Sequence, residues 1–166
     1  MKGKWAAGIP PRNFVWIIRD QLAASERPGG YGRNHRPVRR QEEIIWLREQ
    51  GFTRVVSLLP SPHNLHAYDE LGVHWEHFPL SAQSDAATVL ADLYPAMRLW
   101  LAAGERLLIH QEELGDRIQG VVAGFLVYAG MVPSPAEAIS IVERITQRQM
   151  GPPGRELVSM AAATPH

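Results

Sequence analysis

Six residues able to take part in chemistry stand within the eight positions His110 to Arg117: His110, Gln111, Glu112, Glu113, Asp116 and Arg117. Leu107-Leu108-Ile109 precedes them and reads as a buried strand, while Ile118, Val121, Val122, Phe125 and Leu126 follow at helical spacing. Gly115 lies near the end of the connecting loop. A strand that turns through a short loop into a helix aims several backbone N–H groups at one spot, and the helix dipole adds positive potential there. The local expectation is an anion cradle.

Three chemistries compete for that loop. Arg117 could hold an anion together with the loop amides. Glu112, Glu113 and Asp116 could instead act as the carboxylates of a hydrolase. With His110 they also have the ligand types of a divalent cation site. Metal is the weakest of these, because consecutive Glu side chains in a loop diverge and no His-x-x-x-His spacing is present; neither a metal nor a cofactor is expected. For Arg117 a structural ion pair is preferred, since a buried guanidinium needs a partner and Glu112, Glu113 and Asp116 are within a few residues. One of these carboxylates is expected to fold into the cradle and receive the amides and Arg117, as a carboxylate beside a helix N-terminus is favoured.

The stretch resembles the phosphate-binding loop of the cysteine-dependent protein phosphatases, the dual-specificity class in particular, whose pattern is His-Cys-x-x-Gly-x-x-Arg followed by Ser or Thr. His110 matches the His and Arg117 the Arg. Gln111 stands at the nucleophilic Cys, Leu114 at the Gly, with Gly115 one residue late, and Ile118 at the Ser or Thr. Upstream, Asn13, Phe14, Trp16, Leu22 and Ala23 are similar to the opening of the compact one-domain members. The resemblance runs from about residue 11 to about 150 and implies an α/β three-layer fold with a central, mostly parallel sheet flanked by helices. It also implies a buried His110 that hydrogen-bonds the loop.

In that family a thiolate attacks phosphorus and an acid protonates the leaving oxygen. Gln111 is a neutral amide with no usable nucleophile. After Phe78-Pro79, where the family's acid is sought, stand Leu80, Ser81, Ala82, Gln83 and Ser84. Asp85 is several residues late and reads as a helix cap. The loop carboxylates also oppose a phosphate dianion: two unit charges ~4 Å apart repel by roughly 4 kcal/mol at an effective dielectric of ~20. The resemblance thus implies a pseudophosphatase, with a binding, scaffolding or regulatory role toward another protein. The alternatives are a hydrolase acting through Glu112, Glu113 and Asp116 on a different substrate, and an anion or phospho-ligand binder acting through Arg117 and the loop amides.

The elements that must position this loop follow from hydrophobic pattern. Residues 1–11 read as a flexible arm, residues 13–18 as a first strand, residues 22–25 as a second. Residues 26–40 are Gly/Pro-rich and basic. Their Arg27, Arg33, Arg36, Arg39 and Arg40 could form an anion-binding lip, but a solvated connector pairing with Glu26, Glu42 and Glu43 is the preferred reading. A helix is expected over 41–50, a strand over 55–59, a helical turn over 65–71 closed by Gly72, and a strand over 73–78. A long helix over 86–103 carries Pro95, where a kink or break is expected. Ser134 and Glu137 form a capping box, with Pro135 at the first helical position, for a helix reaching about residue 149. Gly151-Pro152-Pro153-Gly154 reads as a break, followed by a last short helix over 155–162 and a frayed end, within a C-terminal tail, 151–166.

The chain of 166 residues is long enough for one domain with a sizeable core, taken as 1–166. Lys plus Arg and Asp plus Glu both number 17, so overall charge gives no argument for a nucleic-acid or membrane partner. There is no Cys, which excludes disulfides, zinc–thiolate sites and cysteine catalysis. No apolar run approaches the ~20 residues of a membrane span. A cytoplasmic protein is expected. Trp5, Trp16, Trp46, Trp75 and Trp100 read as core or interface aromatics.

Overall fold

The computed structural model describes residues 8–30, 37–62 and 64–165. Among the described residues five short strands form: β1 (Val15–Ile18), β2 (Leu22–Glu26), β3 (Arg54–Ser57), β4 (His74–His77) and β5 (Leu107–Gln111). Their order across the sheet is β1-β2-β5-β3-β4. Only the β1–β2 hairpin is antiparallel; β2, β5, β3 and β4 run parallel. The hairpin turns at Asp20, whose φ of 62° is one a short polar residue tolerates. β5 lies at the centre and is buried on both faces, as an inner parallel strand must be.

Among the described residues, five α-helices and one 3-10 helix cover the two faces. Helix α1 (Pro37–Glu49) and the 3-10 helix (Leu65–Leu71) lie on one side, where Ile44, Leu47, Leu65 and Tyr68 meet Ala23, Val55 and Leu108 of the sheet. Helices α2 (Ala86–Ala102), α3 (Asp116–Tyr128), α4 (Pro135–Thr146) and α5 (Pro152–Ala163) belong to the larger core with Leu107 and Ile109. The alternation along β5 therefore sends Leu108 and His110 to one layer, and Leu107, Ile109 and Gln111 to the other. This is the expected three-layer α/β arrangement.

Several expectations are overturned by long-range packing. Helix α1 starts at Pro37, four residues before the expected Gln41. The described end of the presumed arm is seated, with Ile9 N donating to Glu42 O at 3.3 Å. Helix α2 runs through Pro95 without a break. A helix-interior proline costs about 3 kcal/mol. Buried Leu90, Leu93, Tyr94 and Met97, with the Tyr94 hydroxyl donating to Val121 O at 2.8 Å, offset that loss. The expected turn over 65–71 does form, closed by Gly72 with φ 71°. Ser134 caps α4 by accepting from Glu137 N at 3.3 Å.

The tail is the largest correction: the short helix expected over 155–162 is present, but it begins at Pro152 and is packed rather than frayed. Pro152 and Pro153 do not stop the chain; they occupy the first positions of α5, where a missing N–H costs nothing. Leu157, Val158 and Ala161 are then buried against α3. The two helices cross closely: a Cβ on Gly120 would lie 2.5 Å from Gly154 O. No helix among the described residues is long and apolar enough to cross a membrane.

Candidate functional site

The loop leaves the carboxyl end of the central strand, where open parallel sheets place their ligands. Gln111, the last residue of β5, faces the layer of α2 and α5. Its Nε2 donates to Leu80 O at 2.9 Å and to Leu58 O at 3.4 Å. The amide at the nucleophile position is thus a clamp joining the ends of β5 and β3 to the segment after β4. Leu114 and Ile118, which replace a Gly and a Ser or Thr in the resembled pattern, are both buried in the core. Gly115 caps α3 with φ −111° and has open space where a Cβ would stand. The displaced glycine therefore meets no steric need.

His110 points into the opposite layer. It is buried, and neither ring nitrogen has a hydrogen-bond partner. Ser25 and Ser57 flank it on the neighbouring strands, and both hydroxyls bond elsewhere. The Ser25 hydroxyl donates to Glu26 O at 2.8 Å, and the Ser57 hydroxyl accepts from Leu59 N at 3.3 Å. Burial pushes the imidazole down to about 3, with Arg27 and then His77 adding like-charge opposition to protonation. The implied hydrogen bond from this His to the loop is not formed.

The three loop carboxylates separate. Glu112 pairs with Arg27, at 3.6 Å. Asp116, in the first turn of α3, accepts from Gly151 N at 3.0 Å and so anchors the start of α5. Glu113 is exposed. Arg117 is half-buried and, among the described residues, makes no ion pair or hydrogen bond. The expected pairing of Arg117 with a loop acid is therefore corrected. Glu112 turns instead to Arg27, just past β2, and Asp116 to the start of α5, while Arg117 lines open space. That space is a cavity of about 480 Å³ lined by Gln111, Glu113, Gly115, Asp116, Arg117 and Pro153, among others. Among the described residues, no group of three or more His, Asp or Glu has metal-holding geometry.

The acid position is equally altered. Leu80 is buried and Ser81 N donates to Ser84 Oγ at 2.9 Å, closing a tight turn. Asp85 caps α2 through Thr88, whose hydroxyl donates at 2.7 Å and whose N donates at 3.4 Å. Those bonds, the hydroxyl's foremost, hold its carboxyl below the usual range, the wrong direction for a proton donor. Of the basic connector, Arg39 pairs with buried Glu43 at 2.7 Å and Arg27 reaches the loop itself; Arg33 and Arg36 lie outside the described residues. The preferred pairing with nearby Glu holds for Arg39. Trp16 stacks on Phe52, Trp46 meets Phe14 edge-on, and the Trp75 indole donates to Asp69.

Sequence reasoning missed the wall that α5 contributes. Pro153, Glu156, Leu157 and Met160 line a second cavity, of about 470 Å³, beyond Arg117. The available signal was the pair of prolines at a helix start, followed by apolar residues three and four apart.

A five-strand sheet of this order, a strand–loop–helix at its central carboxyl end and helices on both faces make up the fold of the protein tyrosine and dual-specificity phosphatases. Tk-PTP in its active form superposes with a TM-score of 0.73 at 19% identity, over 91% of this chain and 97% of that one. Kinase associated phosphatase, carrying serine in place of its catalytic cysteine, gives 0.75 at 17% identity, over 89% and 92%. Human DUSP28 gives 0.67 at 19% identity, over 94% and 96%. At these identities the likeness is one of fold. No family model matches the chain, and no curated protein matches it.

Proposed function

We propose that this protein is a pseudophosphatase: it keeps the phosphatase fold and uses the cleft for contact with another protein rather than for phosphoester hydrolysis. The observation that carries this is Gln111. At the nucleophile position stands an amide whose nitrogen is already engaged by Leu80 O and Leu58 O. Two further features support the reading: no acid occupies positions 80–84, and the one nearby, Asp85, is bound as a cap.

A second reading, anion binding through Arg117, is favoured by the lack of any partner for that guanidinium among the described residues. A phosphate dianion there would face Glu112, Glu113 and Asp116, which line the same cavity. Calorimetry with phosphate, tungstate and a phosphotyrosine peptide separates the two. It is run on the protein and on a Glu112→Ala/Glu113→Ala variant, alongside a p-nitrophenyl phosphate turnover assay. The pseudophosphatase reading expects no turnover and no phosphate binding by the unaltered protein. Measurable turnover overturns it, and phosphate binding by the unaltered protein moves the anion reading ahead.

A further inference from the structure

The cavity at the loop and the one beyond it share Leu80, Ser81, Arg117 and Pro153 as lining residues, so the two adjoin as a trough of two halves, with Arg117 lining both. A phosphoryl group fills only a small part of such a space. The polar groups along it carry both signs. Glu112, Glu113 and Asp116 line the first cavity, Arg117 lines both, and Asp85 and Glu156 line the second. Leu80, Pro153, Leu157 and Met160 add apolar lining, beside the hydroxyl groups of Ser81 and Ser84.

Several of these charges are engaged: Glu112 by Arg27, Asp116 by Gly151 N and Asp85 by Thr88. Glu113 and Glu156 are exposed, and Arg117 has no partner among the described residues. The groups left for a ligand are thus a carboxylate in the first cavity, a guanidinium that lines both and a carboxylate in the second.

We infer that this trough receives an extended, unphosphorylated segment of a partner protein, a central Asp or Glu carboxylate on Arg117 with Lys or Arg residues on either side. This rests on the pseudophosphatase reading and specifies its partner. The guanidinium offers two parallel N–H donors that match a carboxylate, and the N-terminus of α3 beside it favours one negative charge. A monoanion meets less repulsion from the loop acids than a phosphate dianion, and flanking cations turn those acids into partners. Apolar side chains between the charged ones lie against Leu157 and Met160. The charge pattern thereby selects an acidic residue in basic surroundings over a phosphorylated one.

The test is fluorescence anisotropy with labelled peptides that carry aspartate between arginines, and with the same peptides carrying asparagine or phosphoserine at the centre. The aspartate peptide is expected to bind about tenfold tighter than the asparagine peptide, the size of one charge-assisted pair, and tighter than the phosphoserine peptide. Raising the salt is expected to weaken it. Arg117→Gln should erase the aspartate preference, and Glu113→Lys/Glu156→Lys, both at exposed positions, should weaken all basic peptides. Circular dichroism on each variant shows that the fold persists. Equal binding of the aspartate and asparagine peptides, tighter binding of phosphoserine, or no effect of these substitutions overturns the inference. p-Nitrophenyl phosphate turnover is measured on the same samples. Turnover defeats the pseudophosphatase reading itself, while no turnover and no peptide binding defeats this inference alone.

Discussion

At the scale of single residues, Gln111 and His110 show how one strand serves two layers. Gln111 clamps Leu58 and Leu80 on one face, and His110 stands unpartnered in the other. Returning a thiol by Gln111→Cys is expected to give no p-nitrophenyl phosphate turnover, followed as p-nitrophenolate absorbance. The acid is missing, the loop carboxylates repel the substrate, and the clamp to Leu80 is lost with the amide. Robust turnover by this variant would show that the loop still binds phosphate productively. His110 makes a separate prediction. Its folded value, about 3, lies below the ~6.5 of an unfolded chain. The unfolded state therefore binds a proton first, and stability is full above pH ~6.5 and falls as pH drops toward 3, by up to about 1.4 kcal/mol per unit. Urea midpoints between pH 7 and 5 should fall in the natural protein and change less in His110→Phe. Equal pH dependence in the two would remove His110 as the cause.

At the scale of elements, the contact between α3 and α5 is set by small residues. A Cβ on Gly120 meets backbone, Gly154 O at 2.5 Å, which cannot rotate away. Gly120→Ala is expected to cost about 1–3 kcal/mol, the usual penalty of overpacking, read as a lower urea midpoint. A midpoint within error of the unaltered protein would mean that the helices slide apart freely. The cap of α4 gives a milder case: Ser134→Ala removes the acceptor for Glu137 N and should cost about 1 kcal/mol. Strands β2, β3 and β5, helices α2 and α4, the turn closed by Gly72 and the caps at Asp85 and Ser134 were all legible, because each is written in local pattern. The start and the packing of helix α5 were not. Its Pro and Gly residues signal a break locally, and only the face of α3 makes its apolar residues worth ordering.

At the scale of the whole molecule, α5 is both core and cleft wall. It buries Leu157, Val158 and Ala161, positions Pro153 and Glu156 along the trough, and holds Asp116 through Gly151. Ending the chain after Gln149 is expected to expose the α3 face. The readouts are a broadened, less cooperative thermal transition and increased binding of an apolar dye. A truncated chain that melts as sharply as the full one would show that α5 is dispensable to the core.

The amino-acid sequence by itself determined that cysteine chemistry is impossible, that strands and helices alternate around a buried β5, and that a loop with the His and Arg of a phosphatase frame joins β5 to α3. These are properties of composition, period and spacing, which short segments carry alone. The directions of the loop side chains belonged to tertiary structure. Glu112 turns to Arg27, Asp116 to Gly151 and Gln111 to Leu80, while Arg117 is left lining the trough. Each partner comes from a distant segment, so no local pattern states which carboxylate is taken and which charge remains. The same holds for Glu43, whose burial follows from the layer that closes over it, and for the missing hydrogen-bond partner of His110, whose burial itself the resemblance implied.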